Sequence, residues 1–236
     1  MNSTHLANRT TTDTPGGLLL IVPVGSTEQH GPHLPLGTDT IIATRLADEL
    51  VRHLGPSTAV VAPAIAIGAS GEHVGFAGTL SIGTDALTNV LVELARSATK
   101  PDGGPFVGVL FVNGHGGNAD ALRQAGKTLL SEGRRAYHWS PRLASAGNDS
   151  HAGRIETSLM LHLVPHLVDE GAAEVGRTES LGELMGAMRL RGVRGVSANG
   201  VLGDPTGASA EVGEALFAEL SEDLEHVARS LFDLDP

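Results

Sequence analysis

The apolar run Leu18-Leu19-Leu20-Ile21-Val22-Pro23-Val24 leads directly into Gly25-Ser26-Thr27-Glu28-Gln29-His30-Gly31-Pro32-His33-Leu34-Pro35-Leu36-Gly37-Thr38-Asp39. An apolar run without polar alternation marks a strand buried on both faces, as in a parallel sheet. In α/β folds the turns at the carboxyl ends of such strands carry the chemistry. This turn brings together two carboxylates, Glu28 and Asp39, and two imidazoles, His30 and His33. Glu28 and His30 alternate with Gln29, so on an extended backbone their side chains face the same way. Asp39 then completes a mixed oxygen and nitrogen donor set that zinc, manganese or ferrous iron would accept. A polar surface loop with solvated histidines has a similar composition, and this segment alone does not decide between the two.

A second stretch repeats the pattern. Phe106-Val107-Gly108-Val109-Leu110-Phe111-Val112 reads as another buried strand and runs into Asn113-Gly114-His115-Gly116-Gly117-Asn118 before a helical pattern begins near Ala119. Glycines on both sides of the imidazole allow the backbone to approach an ion or ligand closely. A phosphate-cradling loop is the competing reading, but neither G-x-G-x-x-G nor the Lys-Ser/Thr of a P-loop is present. The third element is His151-Ala152-Gly153-Arg154-Ile155-Glu156-Thr157-Ser158. Helical apolar spacing at Ile155, Leu159, Leu163 and Leu167 or Val168 follows it. Glu156 falls in the first helical turn, where the helix dipole by itself favours a carboxylate; His151 reads equally as a capping or surface histidine.

In this order the three segments resemble the creatininase family of metal-dependent amidohydrolases. The resemblance runs from about Leu18 to about Val168. It implies that Glu28, His30, Asp39, His115 and Glu156 hold two divalent metal ions (Zn, Fe or Mn), with Asp39 as the bridge. Creatininase itself has a glutamate two residues after the histidine matching His115, where this chain has Gly117. That departure points away from creatinine and toward the broader amidase branch. Ser70-Gly71-Glu72-His73-Val74-Gly75-Phe76-Ala77-Gly78-Thr79-Leu80-Ser81 and the glycine-rich stretch Gly192 to Ala208 resemble the mycofactocin-system branch of the family. Members of that branch are associated with trimming a radical-modified precursor peptide and releasing a carboxy-terminal Val-Tyr dipeptide. The resemblance therefore implies a modified precursor peptide as substrate and a homo-oligomer, most simply a hexamer. A cyclic-amide or formamide hydrolase of a small metabolite, and a non-catalytic metal-binding scaffold, are the alternatives.

Amide cleavage at two ions still needs a proton for the leaving amine. His151, five residues before Glu156, is the first candidate because imidazole exchanges protons near neutral pH. Glu72 and His73 are the second, against the plainer reading of a solvated turn. His33 reads either as a partner that orients a ligand or as a loop histidine.

Outward from these segments, strands are expected at 18–24, 59–67, 106–112 and around 135–139, and helices at 40–54, 84–98, 119–132, 155–168 and 209–232. Ile41, Ile42, Leu46, Leu50 and Leu54 form an apolar stripe on the first helix, and Leu87, Val90, Leu91 and Leu94 on the second. Such alternation predicts a single-domain α/β fold with a mostly parallel central sheet and helices on both faces. The chain has 236 residues, 41% of them hydrophobic, enough for one sizeable core. The domain is placed at 17–236, after a polar segment, 1–16, expected to be disordered. Segment 192–208 is too long for an ordinary connection and is expected to pack over the site or against a neighbouring subunit.

A formal charge of −11 argues against a nucleic-acid partner, which needs clustered Lys and Arg. The absence of cysteine excludes disulfides and thiolate ligands. No apolar run approaches a membrane span, and Leu18–Val24 is too short and too internal for a signal peptide. A cytoplasmic location without a membrane partner is the resulting expectation.

Overall fold

The computed structural model describes residues 3–102, 104–142 and 149–234. The outer ends of the two expected segments, residues 1–2 and 235–236, lie outside the described residues. Four parallel strands, β1 (Leu18–Val24), β2 (Ala59–Val61), β3 (Phe106–Asn113) and β4 (Ala136–Trp139), stand in the order β2-β1-β3-β4. The three crossovers carry α1 (Thr38–Leu54), α2 (Gly83–Ala98) and α3 (Ala119–Ser131). Then come α4 (Arg154–Leu163), α5 (Leu181–Arg191) and α6 (Ala210–Phe232).

Every residue of β1 is buried, because helices cover both faces of the sheet. Leu19 and Ile21, with Leu110 and Val112 of β3, pack in one layer with α1, α4 and α6. Leu18, Leu20 and Val22, with Val109 and Phe111, pack in the other with α2 and α3. From β1 the chain crosses to β2 on one side, and from β3 to β4 on the other. The crevice outside the carboxyl ends of β1 and β3 is therefore a topological switch point, where open α/β sheets bind ligands.

Some expected boundaries shift. The second strand ends at Val61 instead of running to 67, because Pro63 has no N–H for the ladder. Only an isolated bridge, Ile65 to Val24, continues it. The helix expected over 155–168 stops at Leu163, and Pro165–Leu167 form a separate 3₁₀ turn. Helix α5 was not expected, since Gly182 and Gly186 weaken its pattern, although Ser180 and Glu183 form a capping box at its start. Where composition predicts a disordered amino-terminal segment, Thr4 accepts a hydrogen bond from the Val61 N–H at 2.9 Å, and Leu6 packs on the apolar layer. The free edge of β2 would otherwise leave those backbone groups unpaired. Among the described residues no helix is long and apolar enough to cross a membrane.

Helix α6 seats α4 through a close backbone approach. A Cβ on Gly213 would lie 1.9 Å from the Ser158 carbonyl oxygen and 2.9 Å from the His162 Cβ. Gly213→Ala gains about 1 kcal/mol of helix propensity but forces the helices apart, and overpacking of this kind costs about 1–3 kcal/mol. The expected result is a net loss of stability, seen as a lower denaturant midpoint with an unchanged slope.

Candidate metal centre

Five segments converge on the crevice. The loop after β1 is closed by the Glu28 N–H donating to Leu36 O at 3.0 Å and the Leu80 N–H donating to Thr27 O at 2.8 Å, and it supplies Glu28, Gln29 and His30. Asp39 enters from the first turn of α1, where the dipole favours an anion. A 3₁₀ turn after β2, Gly71–His73, brings Glu72 and His73. His115 stands in the turn after β3, and His151 and Glu156 flank the start of α4.

The donor atoms are close and mostly dry. Glu28, His30, Asp39, His73, His115 and His151 are all buried, whereas the Glu156 side chain is 24% exposed. His30 Nε2 lies 3.1 Å from Asp39 Oδ1 and 4.0 Å from Glu156 Oε2. His115 Nδ1 lies 3.3 Å from Asp39 Oδ2, and its Nε2 lies 3.1 Å from Glu28 Oε2. His73 Nε2 and His151 Nδ1 face Glu28 Oε1 at 3.3 and 3.8 Å. Three sets of donors fall within 4.8 Å: Glu28, Asp39 and His115; His30, Asp39 and Glu156; Glu28, His30 and His151. Asp39 belongs to the first two sets, and Ser26 Oγ donates to its Oδ2 at 2.9 Å.

Burial sets the electrostatics. It pushes Glu28 and Glu156 each up to about 7, against the pull of His115 on Glu28 and of His30 on Glu156. For His30, burial works against the proton, but Asp39, with Glu156 and Glu28, outweighs it and raises the imidazole to about 10. Burial also opposes ionisation of Asp39, yet His30 and His115 hold it below the ordinary value. His73 falls to about 3 and His151 well below its ordinary value, both chiefly through burial and then through neighbouring imidazoles. The site thus contains neutral and protonated imidazoles side by side, with the His30 and His151 ring centres 4.4 Å apart.

A divalent cation fits these residues. Neither oxygen of the buried Glu28 carboxylate has a hydrogen bond, although imidazole nitrogens stand near both. An unpaired buried carboxylate is costly unless a cation compensates it. Oxygen and imidazole donors without thiolate suit zinc, manganese or iron.

Glu72 reaches the cluster from outside. Its side chain is 30% exposed, and Oε1 lies 3.6 Å from His115 Nε2. The space it uses exists because residue 117 is glycine: a Cβ there would stand 2.4 Å from both Glu72 Oε1 and His115 Nε2, and 2.5 Å from Ala69 O. His33 does not join the donors; its Nε2 hydrogen-bonds Thr157 Oγ1 at 2.8 Å, beside Glu156 on α4. Gln29, Ser26 and Ser70 also belong to the site without a sequence signal of their own. Strand alternation turns Gln29 away from Glu28 and His30, whereas His73 and His151 wrap around its amide at 2.8 and 2.9 Å. Segment 192–208 packs on the site, as one of its two expected placements had it: Leu202 bridges His151, and Gly200 O accepts from Gln29 Nε2 at 3.1 Å.

Carboxylates and imidazoles kept from water at the switch point of a parallel sheet equip a metal-dependent hydrolase, and fold and site together define that class. The creatininase family model, described as creatinine amidohydrolase, matches residues 2–228, and the chain belongs to this family. It is 52% identical over 205 residues, 86% of this chain and 81% of the relative, to the mycofactocin precursor peptide peptidase of Mycolicibacterium smegmatis. Against the protein of the same name from Mycobacterium tuberculosis it is 48% identical over 218 residues, 89% of this chain and 84% of the relative. A crystal structure of creatinine amidohydrolase (creatininase) shares the fold with a TM-score of 0.76 at 22% identity, covering 100% of both chains.

Two outcomes follow from the geometry. Gly117→Ala should drive Glu72 and His115 apart, since the Ala69 carbonyl cannot yield, and weaken divalent-metal affinity by about 10–100-fold. Competition with a chelator measures this, and unchanged affinity would refute the role given to that space. Because Glu28, Glu156 and His30 hold protons near neutral pH in the metal-free protein, and bind a cation only after losing them, metal binding should release protons. Apparent affinity should then rise with pH through the Glu28 and Glu156 values of about 7 and on toward the His30 value of about 10, and titration heats should depend on the ionisation enthalpy of the buffer.

Proposed function

We propose that this chain is a divalent-metal-dependent peptidase that trims the modified mycofactocin precursor peptide, releasing a carboxy-terminal Val-Tyr dipeptide. The observation that carries the metal-dependent chemistry is the buried Glu28 carboxylate without a hydrogen bond, inside donor sets that share Asp39. The peptide substrate is supported by relatives named mycofactocin precursor peptide peptidase, 48–52% identical over most of this chain.

In this reading Glu28, His30, Asp39, His115 and Glu156 hold two ions, with Asp39 shared. When bound, such ions polarise an amide carbonyl and lower the pKa of water. The protein's own groups do the rest. His151, neutral and with Nδ1 facing the cluster, takes a proton from the attacking water at that nitrogen and passes it to the leaving amine. His73 stands beside Glu28, and the partly exposed Glu72 lies at the edge of the cluster beside His115. A pocket of about 220 Å³ adjoins the cluster and is lined by the apolar Ile42, Leu159 and Leu220 as well as by Ser150, His151 and Glu156. Its apolar lining suits a hydrophobic side chain of the peptide. Gly117 in place of a glutamate weighs against creatinine as substrate.

Metal-loaded protein incubated with the modified precursor peptide should release the dipeptide, read by mass spectrometry. Asp39→Ala should lose metal and turnover together. His151→Ala should keep its metal and lose turnover by about 10²-fold or more; loss of metal in that variant would overturn the role given to His151. We read the working enzyme as a cytoplasmic homo-oligomer, in its simplest form a hexamer. Sedimentation should show that assembly, and an active monomer at micromolar concentration would exclude it.

A further inference from the structure

Gln29 lies between two proposed ligands, yet its side chain turns away from them into a fully countable hydrogen-bond network. The Gly31 N–H donates to Gln29 Oε1 at 2.9 Å, which fixes the amide with its nitrogen on the opposite side. That nitrogen approaches Gly200 O at 3.1 Å, His73 Nδ1 at 2.8 Å and His151 Nε2 at 2.9 Å. An amide nitrogen has two protons for these three neighbours. The Gly200 carbonyl can only accept, so one proton goes there.

The backbone carbonyl of Gln29 decides the rest. It lies 2.8 Å from His151 Nε2 and can only accept, so His151 Nε2 carries a proton and donates it there. His151 Nε2 cannot then accept from the amide, and the second amide proton goes to His73 Nδ1. A neutral imidazole has one N–H and one bare nitrogen. His73 therefore carries its proton on Nε2, 3.3 Å from Glu28 Oε1. His151 is left with a bare Nδ1, 3.8 Å from the same oxygen.

We propose that Gln29 is a positioning residue that sets the tautomer of His73 through its side-chain amide and that of His151 through its backbone carbonyl. The outcome is one N–H and one bare nitrogen presented to the two sides of Glu28 Oε1. The inference rests on the reading of His151 as proton carrier only for its use in catalysis; the tautomers themselves do not depend on it. Seen this way, Gln29 acts as the outer partner that fixes the ring orientation of neighbouring imidazoles.

The test is nitrogen NMR of the full-length, zinc-loaded protein with ¹⁵N-labelled histidine. His73 should appear with its proton on Nε2, and His151 with its proton on Nε2 and Nδ1 bare. In Gln29→Glu the carboxylate can only accept, so His73 should switch to Nδ1–H while His151, held by a backbone carbonyl, stays as it was. Turnover should fall about 10–100-fold, as for other outer partners of metal sites. Wild-type His73 protonated on Nδ1, or an unswitched His73 in the variant, would overturn the proposal. Should the variant fail to fold, the wild-type spectrum decides alone. A zinc-bound Nδ1 on His151 would keep the tautomer and remove the proton-carrier role, so the two readings fail separately.

Discussion

A buried carboxylate whose two oxygens lack hydrogen bonds, as in Glu28, is tolerated only as the neutral acid or beside positive charge. The rest of the crevice is arranged around that requirement. Protonated His30 and the imidazole of His115 stand on the side of Asp39, while the neutral rings of His73 and His151 stand on the side of Glu28 Oε1. Burial strengthens each of these interactions and also makes any missing partner expensive. A cation answers the imbalance without any rearrangement of the side chains, because within each set the three donor atoms already lie within 4.8 Å of one another.

The fold produces this density of charge without weakening its core. All seven residues of β1 are buried, and two separate apolar layers flank the sheet. The charged groups occupy the loops beyond the strand ends and the first turns of α1 and α4, where the order β2-β1-β3-β4 leaves a crevice. Of the two non-glycine residues with positive φ among the described residues, one lies there and the other, Asp233, ends α6. Ala152 adopts φ of 52°, in the left-handed region that a side chain disfavours by about 1–2 kcal/mol. Its N–H in return donates to Glu156 Oε2 at 2.5 Å, so the unusual turn aims the carboxylate inward.

Much of this was legible in the sequence, and the gaps have physical causes. Buried parallel strands lack polar alternation, so Leu18–Val24 and Phe106–Val112 stood out, and the ends of the expected helices, apart from the carboxyl end of α4, fall within two residues of those observed. Pro63 and Pro165 cut short a strand and a helix whose apolar patterns continue past them. All eight residues proposed for the site meet in one crevice; six sit beside a strand end or helix start that the pattern revealed, whereas Glu72 and His73 stand in a separate 3₁₀ turn well after β2 and were marked only by the family resemblance. Gln29 escaped notice for a different reason. Periodicity reports which face of an element a side chain leaves from, not which loops later fold over that face, and the partners of Gln29 come from Gly200, His73 and His151, far along the chain.

The space shared by residues 72 and 117 limits how the rim of the centre can be altered. Two loops, one after β2 and one after β3, reach the same small volume beside His115, and only one of them can fill it. Any side chain placed at residue 117 collides with the Glu72 carboxylate unless Glu72 is shortened as well, so the two positions have to be redesigned together although they are remote in sequence.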